Sequence, residues 1–187
     1  MAEDSIKGSV LLAIKEYILK DQKEAGYLKY LQAFSPEDQV LLDKKLVGVG
    51  KVPARIFAQS GATCMQLFGQ TDKKYFQKVM SFVAEDNINS FMKVFMRLGN
   101  PSLTVKNVPL MWKHYFSASS VNMLEVTSNS AKVLVEGGAP YGEALCQGVL
   151  GFGTYVVAYS GGKNVQAAHP ECIHHGGARC FFTVSWE

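Results

Sequence analysis

Hydrophobic side chains recur every three or four residues through the first part of the chain, which is the spacing of one face of an α-helix. This pattern predicts helices over residues 5–20, 27–34, about 54–68, 72–98 and 108–116. Ser35 and Pro36 supply the N-cap and the first helical position of a further short helix. The N-terminal half is therefore expected to be helical.

The period of the pattern changes after Ser117. Alternation of apolar and polar positions predicts four strands, over residues 121–127, 131–136, 164–168 and 179–186. Residues 141–159 are apolar on nearly all sides, which predicts a buried helix between the two strand pairs. The predicted fold class is α+β, a helical N-terminal half packed on a C-terminal antiparallel sheet of about four strands with one inserted buried helix.

Composition and charge narrow the class of protein. The chain has 187 residues, 48% of them hydrophobic, which suits a single domain with a real core. A net charge of +3 without a long basic run argues against a nucleic-acid-binding surface. The apolar run at residues 10–14 is too short for a membrane span or a signal peptide. We therefore expect a cytoplasmic protein, in which cysteines stay reduced.

Three cysteines and a histidine near the C-terminus form the candidate metal site. His169 precedes Cys172 by three residues, and the last loop is expected to bring both close to Cys146 and Cys180. Sulfur and imidazole ligands suit a structural zinc ion best. Inert buried thiols and a disulfide between Cys172 and Cys180 are the alternatives. Three further residues compete with His169 as the fourth ligand: Glu171, His174 and His175.

Large aromatic and methionine side chains are unusually dense in the helical segments, which indicates a candidate ligand cavity. The candidate ligand-binding residues are Phe76, Met80, Phe91, Phe95, Trp112, Tyr115, Phe116, Phe152 and Tyr155. The alternative is a solid core, because an aromatic stripe at helical spacing is common in cores.

Several short motifs resemble the 4-vinyl-reductase-like domain, a hydrocarbon and small-molecule-binding domain whose superfamily includes the TRAPP vesicle-tethering subunits. The motifs are Trp112 with Tyr115-Phe116, then Leu124-Glu125-Val126, then Leu145-Cys146-x-Gly148-Val149-Leu150-x-Gly, and finally Cys172-x7-Cys180-Phe-Phe-x-Val-x-Trp186. The resemblance covers about residues 70–187, and the wider chain is similar to a family abundant in myxobacteria. The domain division it implies is a helical extension over 1–70 and a core over 71–187.

The resemblance implies function as well as fold. In phenol-sensing regulators, three cysteines with this spacing bind zinc together with a carboxylate, and His169 occupies the carboxylate position here. Family members bind aromatic or long-chain apolar molecules between long helices and the sheet, and many are dimers. The chain is thus expected to be a non-catalytic sensing domain with a small apolar ligand, a homodimer surface and a signalling partner.

Three other functions compete with this expectation. A 4-vinyl-reductase-type enzyme of tetrapyrrole metabolism would need a cofactor site, yet Gly48-x-Gly50 lacks the third glycine of a dinucleotide-binding motif. A haem-based nitric oxide sensor of the related haem domain would need a Tyr-x-Ser-x-Arg clamp, which is absent. A structural subunit without a ligand differs from the sensing domain only in an empty cavity.

Overall fold

The helices of the computed structural model occupy most of the N-terminal part of the chain. The structure describes residues 4–70, 72, 74–88 and 99–187. The helices are α1 (Gly8–Leu31), α2 (Pro36–Val40), α3 (Ala54–Phe68), α4 (Tyr75–Asn87), α5 (Pro101–Lys106), α6 (Val108–Tyr115) and α7 (Gly142–Tyr159). A π-helical turn, Leu41–Lys45, follows α2 directly.

Six strands in the described part of the chain form two antiparallel sheets. The strands are β1 (Ser5–Lys7), β2 (Lys51–Pro53), β3 (Ser120–Val126), β4 (Ser130–Glu136), β5 (Gln166–Glu171) and β6 (Cys180–Ser185). The small sheet pairs β1 with β2, and the large sheet has the order β3-β4-β6-β5. In the chain, α7 separates β4 from β5. In the sheet, β6 lies between β4 and β5. This confirms the predicted α+β class and the order strand, strand, helix, strand, strand.

The first predicted helix starts later in the structure than the sequence pattern indicates. Helix α1 begins at Gly8, because Ser5–Lys7 pairs with Lys51–Pro53 as a strand that is too short to show a period of two. The predicted helices over 5–20 and 27–34 correspond to two helical parts of α1, which is interrupted at Lys23, where φ is 61° and ψ is −176°. Of the predicted helix over 72–98, residues 89–98 lie outside the described residues.

The hydrophobic core is one cluster that extends along the chain from Ile6 to Trp186. A smaller cluster joins Ala84 and Ile88 of α4 to Val156 of α7. Helix α4 packs along α7. Helix α3 packs on both of these helices, α1 packs on α4 and α3, and α7 also contacts β5 and β6. The division of the chain at residue 70 stays a prediction. Within the described ranges, no helix has the length and apolar character needed to cross a bilayer.

Candidate functional site

An apolar cavity lies where the helices meet the large sheet. Its volume is about 110 Å³. Side chains of α4, α5, α6 and α7 line it from one side, and those of β3, β4 and β6 line it from the other. No charged side chain and no histidine of the described residues lines this cavity. Its chemistry therefore favours uncharged contents and disfavours water.

The structure brings together five of the nine candidate ligand-binding residues: Met80, Trp112, Tyr115, Phe116 and Phe152 all line the cavity. Phe76 is buried in the core with its ring centroid 6.1 Å from that of Phe57. Tyr155 lies outside the lining and stacks on Tyr159 at 5.7 Å. Phe91 and Phe95 lie outside the described residues.

The polar ends of the aromatic lining residues have partners in the surrounding protein. The indole nitrogen of Trp112 donates to the Ser119 hydroxyl at 2.8 Å and to its carbonyl at 3.1 Å. The Tyr115 hydroxyl donates to the Asn87 carbonyl at 3.3 Å, and burial raises the pKa of this phenol. These hydroxyl and indole hydrogens are therefore already used, and the two residues offer the cavity mainly their rings.

Other apolar lining residues carried no signal in the sequence as candidates for a site. Val10 of α1, Phe57 of α3, Val121 of β3 and Leu145 of α7 all line the cavity. Each occupies a core position of its own element, and a single sequence does not distinguish a core side chain that touches a neighbour from one that faces a cavity. Only the packing of several helices and strands around one volume identifies them.

Cys146, Cys172, Cys180 and His169 form a second candidate site, which we call the thiol-imidazole cluster. One sulfur or ring-nitrogen atom from each residue lies within 4.8 Å of the others. The Cys146 sulfur is 3.8 Å from that of Cys172 and 3.6 Å from that of Cys180, and all four cysteines of the chain are free thiols. Helix α7 supplies Cys146, and the β5-to-β6 segment supplies the other three residues.

Burial controls the protonation of this cluster. It raises the pKa of Cys146, and the neighbouring thiols Cys180 and Cys172 raise it further. Burial also raises the pKa of Cys180. Burial, followed by the nearby His175 and His174, lowers the pKa of His169. Without a cation, Cys146 and Cys180 are expected to be protonated thiols and His169 a neutral imidazole at pH 7.

The His169 ring is fixed but incompletely satisfied. It stacks on Phe182 with centroids 4.0 Å apart and ring planes 4° from parallel. Its buried Nε2 atom has no hydrogen-bond partner among the described residues. A buried polar atom without a partner costs free energy, so its presence needs an explanation.

The three residues that compete with His169 as the fourth ligand have other partners or face solvent. Glu171 accepts a hydrogen bond from Arg179 Nε at 3.0 Å, and His175 Nε2 is 3.3 Å from a Glu143 oxygen. His174 is exposed. Among the described residues, none of these three side chains belongs to the thiol-imidazole cluster. Cys64 is buried in α3, apart from this group.

Solved structures with a similar fold include H-NOX proteins. No family model and no curated protein matches the chain. The H-NOX protein from S. oneidensis in the Fe(II)NO ligation state has a TM-score of 0.74 and 13% identity, over 97% of this chain and 99% of that one. Its Fe(II)CO form, solved by NMR, gives 0.69 and 13%, over 97% and 99%. The unliganded Fe(II) H-NOX protein from K. algicida gives 0.72 and 9%, over 97% of each chain.

These comparisons correct the family resemblance inferred from short motifs. The assignment to the 4-vinyl-reductase-like domain, with its TRAPP-like fold and hydrocarbon binding, is wrong, because the structural neighbours are H-NOX domains. The motifs consist mainly of glycines, cysteines and apolar residues at core positions. Such residues are common wherever a helix packs closely on a sheet, so they do not separate one family from another.

Zinc as the cofactor is also wrong, because the neighbours' descriptions name Fe(II) ligation states. Converging Cys and His side chains indicate a candidate ligand set, but they do not identify the cofactor of the domain. The similarity covers nearly the whole chain at 9–13% identity, which is enough to establish architecture. The chain therefore has the fold of the H-NOX domains.

Proposed function

We propose that this chain is a non-catalytic sensing domain that binds a small uncharged molecule directly in the apolar cavity. The observation that carries the proposal is the cavity of about 110 Å³ without a charged lining residue in the described part of the chain. A dry apolar cavity of comparable size in another protein binds benzene or xenon. The H-NOX fold of the neighbours agrees with small-molecule sensing.

Haem is the cofactor that the fold suggests, and the described residues do not fit it. All four histidines of the chain are described, and none lines the cavity. No described Lys or Arg lines it to pair with the propionates. Tyr115 keeps its hydroxyl hydrogen on Asn87, so it does not present a phenolate to iron. The remaining candidate iron ligands among the described lining residues are the thioethers of methionines. Methionine typically binds haem iron together with a histidine.

Xenon is a suitable probe because it has no charge and forms no hydrogen bonds. We expect a saturable change in the ¹²⁹Xe NMR signal with wild-type protein. Gly153 lines the cavity, and a Cβ built on it meets nothing within 4 Å. Gly153→Leu should therefore fill the cavity and remove most of the saturable change.

Ala158→Leu is the matched control, because Ala158 is an exposed residue of the same helix outside the cavity. It should bind xenon like the wild type. A haem titration forms the second arm, and we expect no stoichiometric complex with a sharp Soret band. Haem binding that Gly153→Leu abolishes would contradict direct binding, as would equal xenon responses of Gly153→Leu and Ala158→Leu.

We propose separately that the thiol-imidazole cluster holds a divalent metal ion that fastens the β5-to-β6 segment to α7. What supports this is the convergence of four donor atoms and the unpartnered Nε2 of His169. A bound cation would give that nitrogen a partner and would replace the thiol protons. The role would be structural, since the cluster lies outside the cavity lining. Signalling through a dimer or a partner protein stays a prediction from the sequence.

Cobalt(II) tests the cluster because its thiolate complexes absorb visible and near-ultraviolet light. We expect one equivalent to bind, with affinity falling as the pH falls, because protons compete for the thiols. Cys180→Ser and His169→Ala should weaken binding, and Cys64→Ala should not, since Cys64 is the cysteine outside the cluster. Identical spectra for Cys180→Ser and Cys64→Ala would refute the proposal.

A further inference from the structure

A second pocket, of about 200 Å³, lies between the small sheet and the C-terminal end of α6. We call it the basic pocket, because its described lining includes Lys7, Lys51, Lys113 and His114. No described Asp or Glu lines it. Its potential is therefore positive, and a concave positive surface favours an anion.

The pairing of β1 with β2 concentrates this charge. Lys7 and Lys51 are direct partners in the antiparallel register, so their side chains leave the same face of the small sheet. Like charges at directly opposite positions destabilise a strand pair. Neither lysine forms an ion pair with a described carboxylate. An anion between them would turn this repulsion into attraction.

Helix α6 completes the pocket from the other side. Lys113 and His114 lie in its last turn and are exposed. The ammonium of Lys7 lies 5.4 Å from the centroid of the Tyr115 ring, which holds this side chain over the same end of α6. The Ser5 hydroxyl and amide both donate to the Ser117 hydroxyl, at 3.2 and 2.8 Å, which leaves the Ser117 hydroxyl hydrogen as a donor in the lining.

We propose that the basic pocket binds a phosphate group. Three lysines around one pocket call for more than a single negative charge, and a phosphate monoester carries close to two at pH 7. Its three oxygens can accept charge-assisted hydrogen bonds from several ammonium groups at once. Tyr115 and Phe116 line both this pocket and the apolar cavity, but phosphate binding here does not depend on what the cavity holds.

Calorimetric titration with inorganic phosphate and pyrophosphate tests the proposal. We expect wild-type protein to bind both, more weakly at high salt because exposed charges are screened. The double variant Lys51→Met with Lys113→Met should lose roughly tenfold in affinity for each lysine removed. In phosphate-free buffer, Lys51→Met alone should leave the Tm unchanged or raise it slightly, because it relieves the repulsion from Lys7.

The matched control is Lys29→Met with Lys163→Met, which changes the net charge equally at exposed lysines outside the pocket. It should bind phosphate like the wild type. Co-sedimentation with phosphatidylcholine vesicles containing phosphatidic acid identifies the source: pelleting that Lys51→Met with Lys113→Met abolishes supports a lipid phosphate, and a phosphate response without pelleting supports a soluble one. No response of the wild type to any probe, or equal responses of the two double variants, would overturn the proposal.

Discussion

Replacing Gly151 with alanine is expected to lower the free energy of unfolding by roughly 3 kcal/mol or more, at the upper end of the cost of overpacking a core. Gly151 lies in α7 where this helix crosses α4, and a Cβ built on it would be 2.8 Å from the Gln77 carbonyl carbon and would overlap the carbonyl oxygen. The obstacle is backbone, which no rotamer change can move. The two helices would have to separate.

Hydrogen bonds also join α4 and α7 at this crossing, so moving the two helices apart costs more free energy. The Ser81 hydroxyl lies 3.0 Å from the Gln77 carbonyl and 2.9 Å from the Gly151 carbonyl, and so bridges the two helices. Gln77 also donates to Gln147 across the interface at 2.8 Å. Thermal unfolding should show a decrease in Tm of roughly 6–12 °C, from about 2–4 °C per kcal/mol for a chain of this size.

Gly153→Ala is the control, because it makes the same change two residues away on the same helix. A Cβ at Gly153 meets nothing within 4 Å, so only the gain in helix propensity remains. We expect an increase in stability of up to about 1 kcal/mol. Similar effects of the two substitutions would show that helix propensity, and not the close crossing of α4 and α7, determines the outcome.

Tyr141→Phe should lower the free energy of unfolding by roughly 2–3 kcal/mol, the cost of leaving buried polar groups unpaired. The Tyr141 hydroxyl accepts from the Ser117 and Ala118 amides at 3.1 and 3.0 Å and donates to the Ser5 carbonyl at 3.0 Å. It therefore joins β1 to the segment that leads from α6 into β3. The Ala118 amide has no other described acceptor, and its hydrogen exchange should accelerate.

Tyr159→Phe provides the comparison for this hydroxyl. Tyr159 is half-buried, stacks on Tyr155, and makes no hydrogen bond through its hydroxyl to a described residue. Its substitution should change stability by less than about 0.5 kcal/mol, as is usual for changes away from the core network. Equal losses for Tyr141→Phe and Tyr159→Phe would rule out a special role for the Tyr141 hydroxyl.

Prediction from the sequence succeeded where a signal repeats along one element. The apolar stripe of α3 and the alternation of Cys180 and Phe182 in β6 both reflect burial of one face, and each repeats within a few residues. It missed β1 and β2, because three residues cannot establish a period. The sequence predicted separate helices before and after Lys23 but did not locate the interruption, since a lysine with positive φ has no distinctive sequence pattern.

The thiol-imidazole cluster and the basic pocket also differ in how far the sequence predicted them. The Cys and His residues near the C-terminus are rare enough to be picked out by residue type alone, and their convergence required only that one loop return to α7. The basic pocket was not predicted, because Lys7, Lys51 and Lys113 are far apart in the chain and its net charge is only +3. The short sheet between Lys7 and Lys51 creates that concentration of charge.

The sequence by itself determined the α+β class and the order of the C-terminal elements, and it proposed the three cysteines of the thiol-imidazole cluster with His169 as one of four candidate fourth ligands, because each follows from local periodicity or residue type. Only the tertiary structure decided that Met80, Trp112 and Phe152 surround a cavity while Phe76 fills the core. The physical reason is that a cavity is a property of several elements packed together. Each side chain has the same apolar character in either place, and only its neighbours differ.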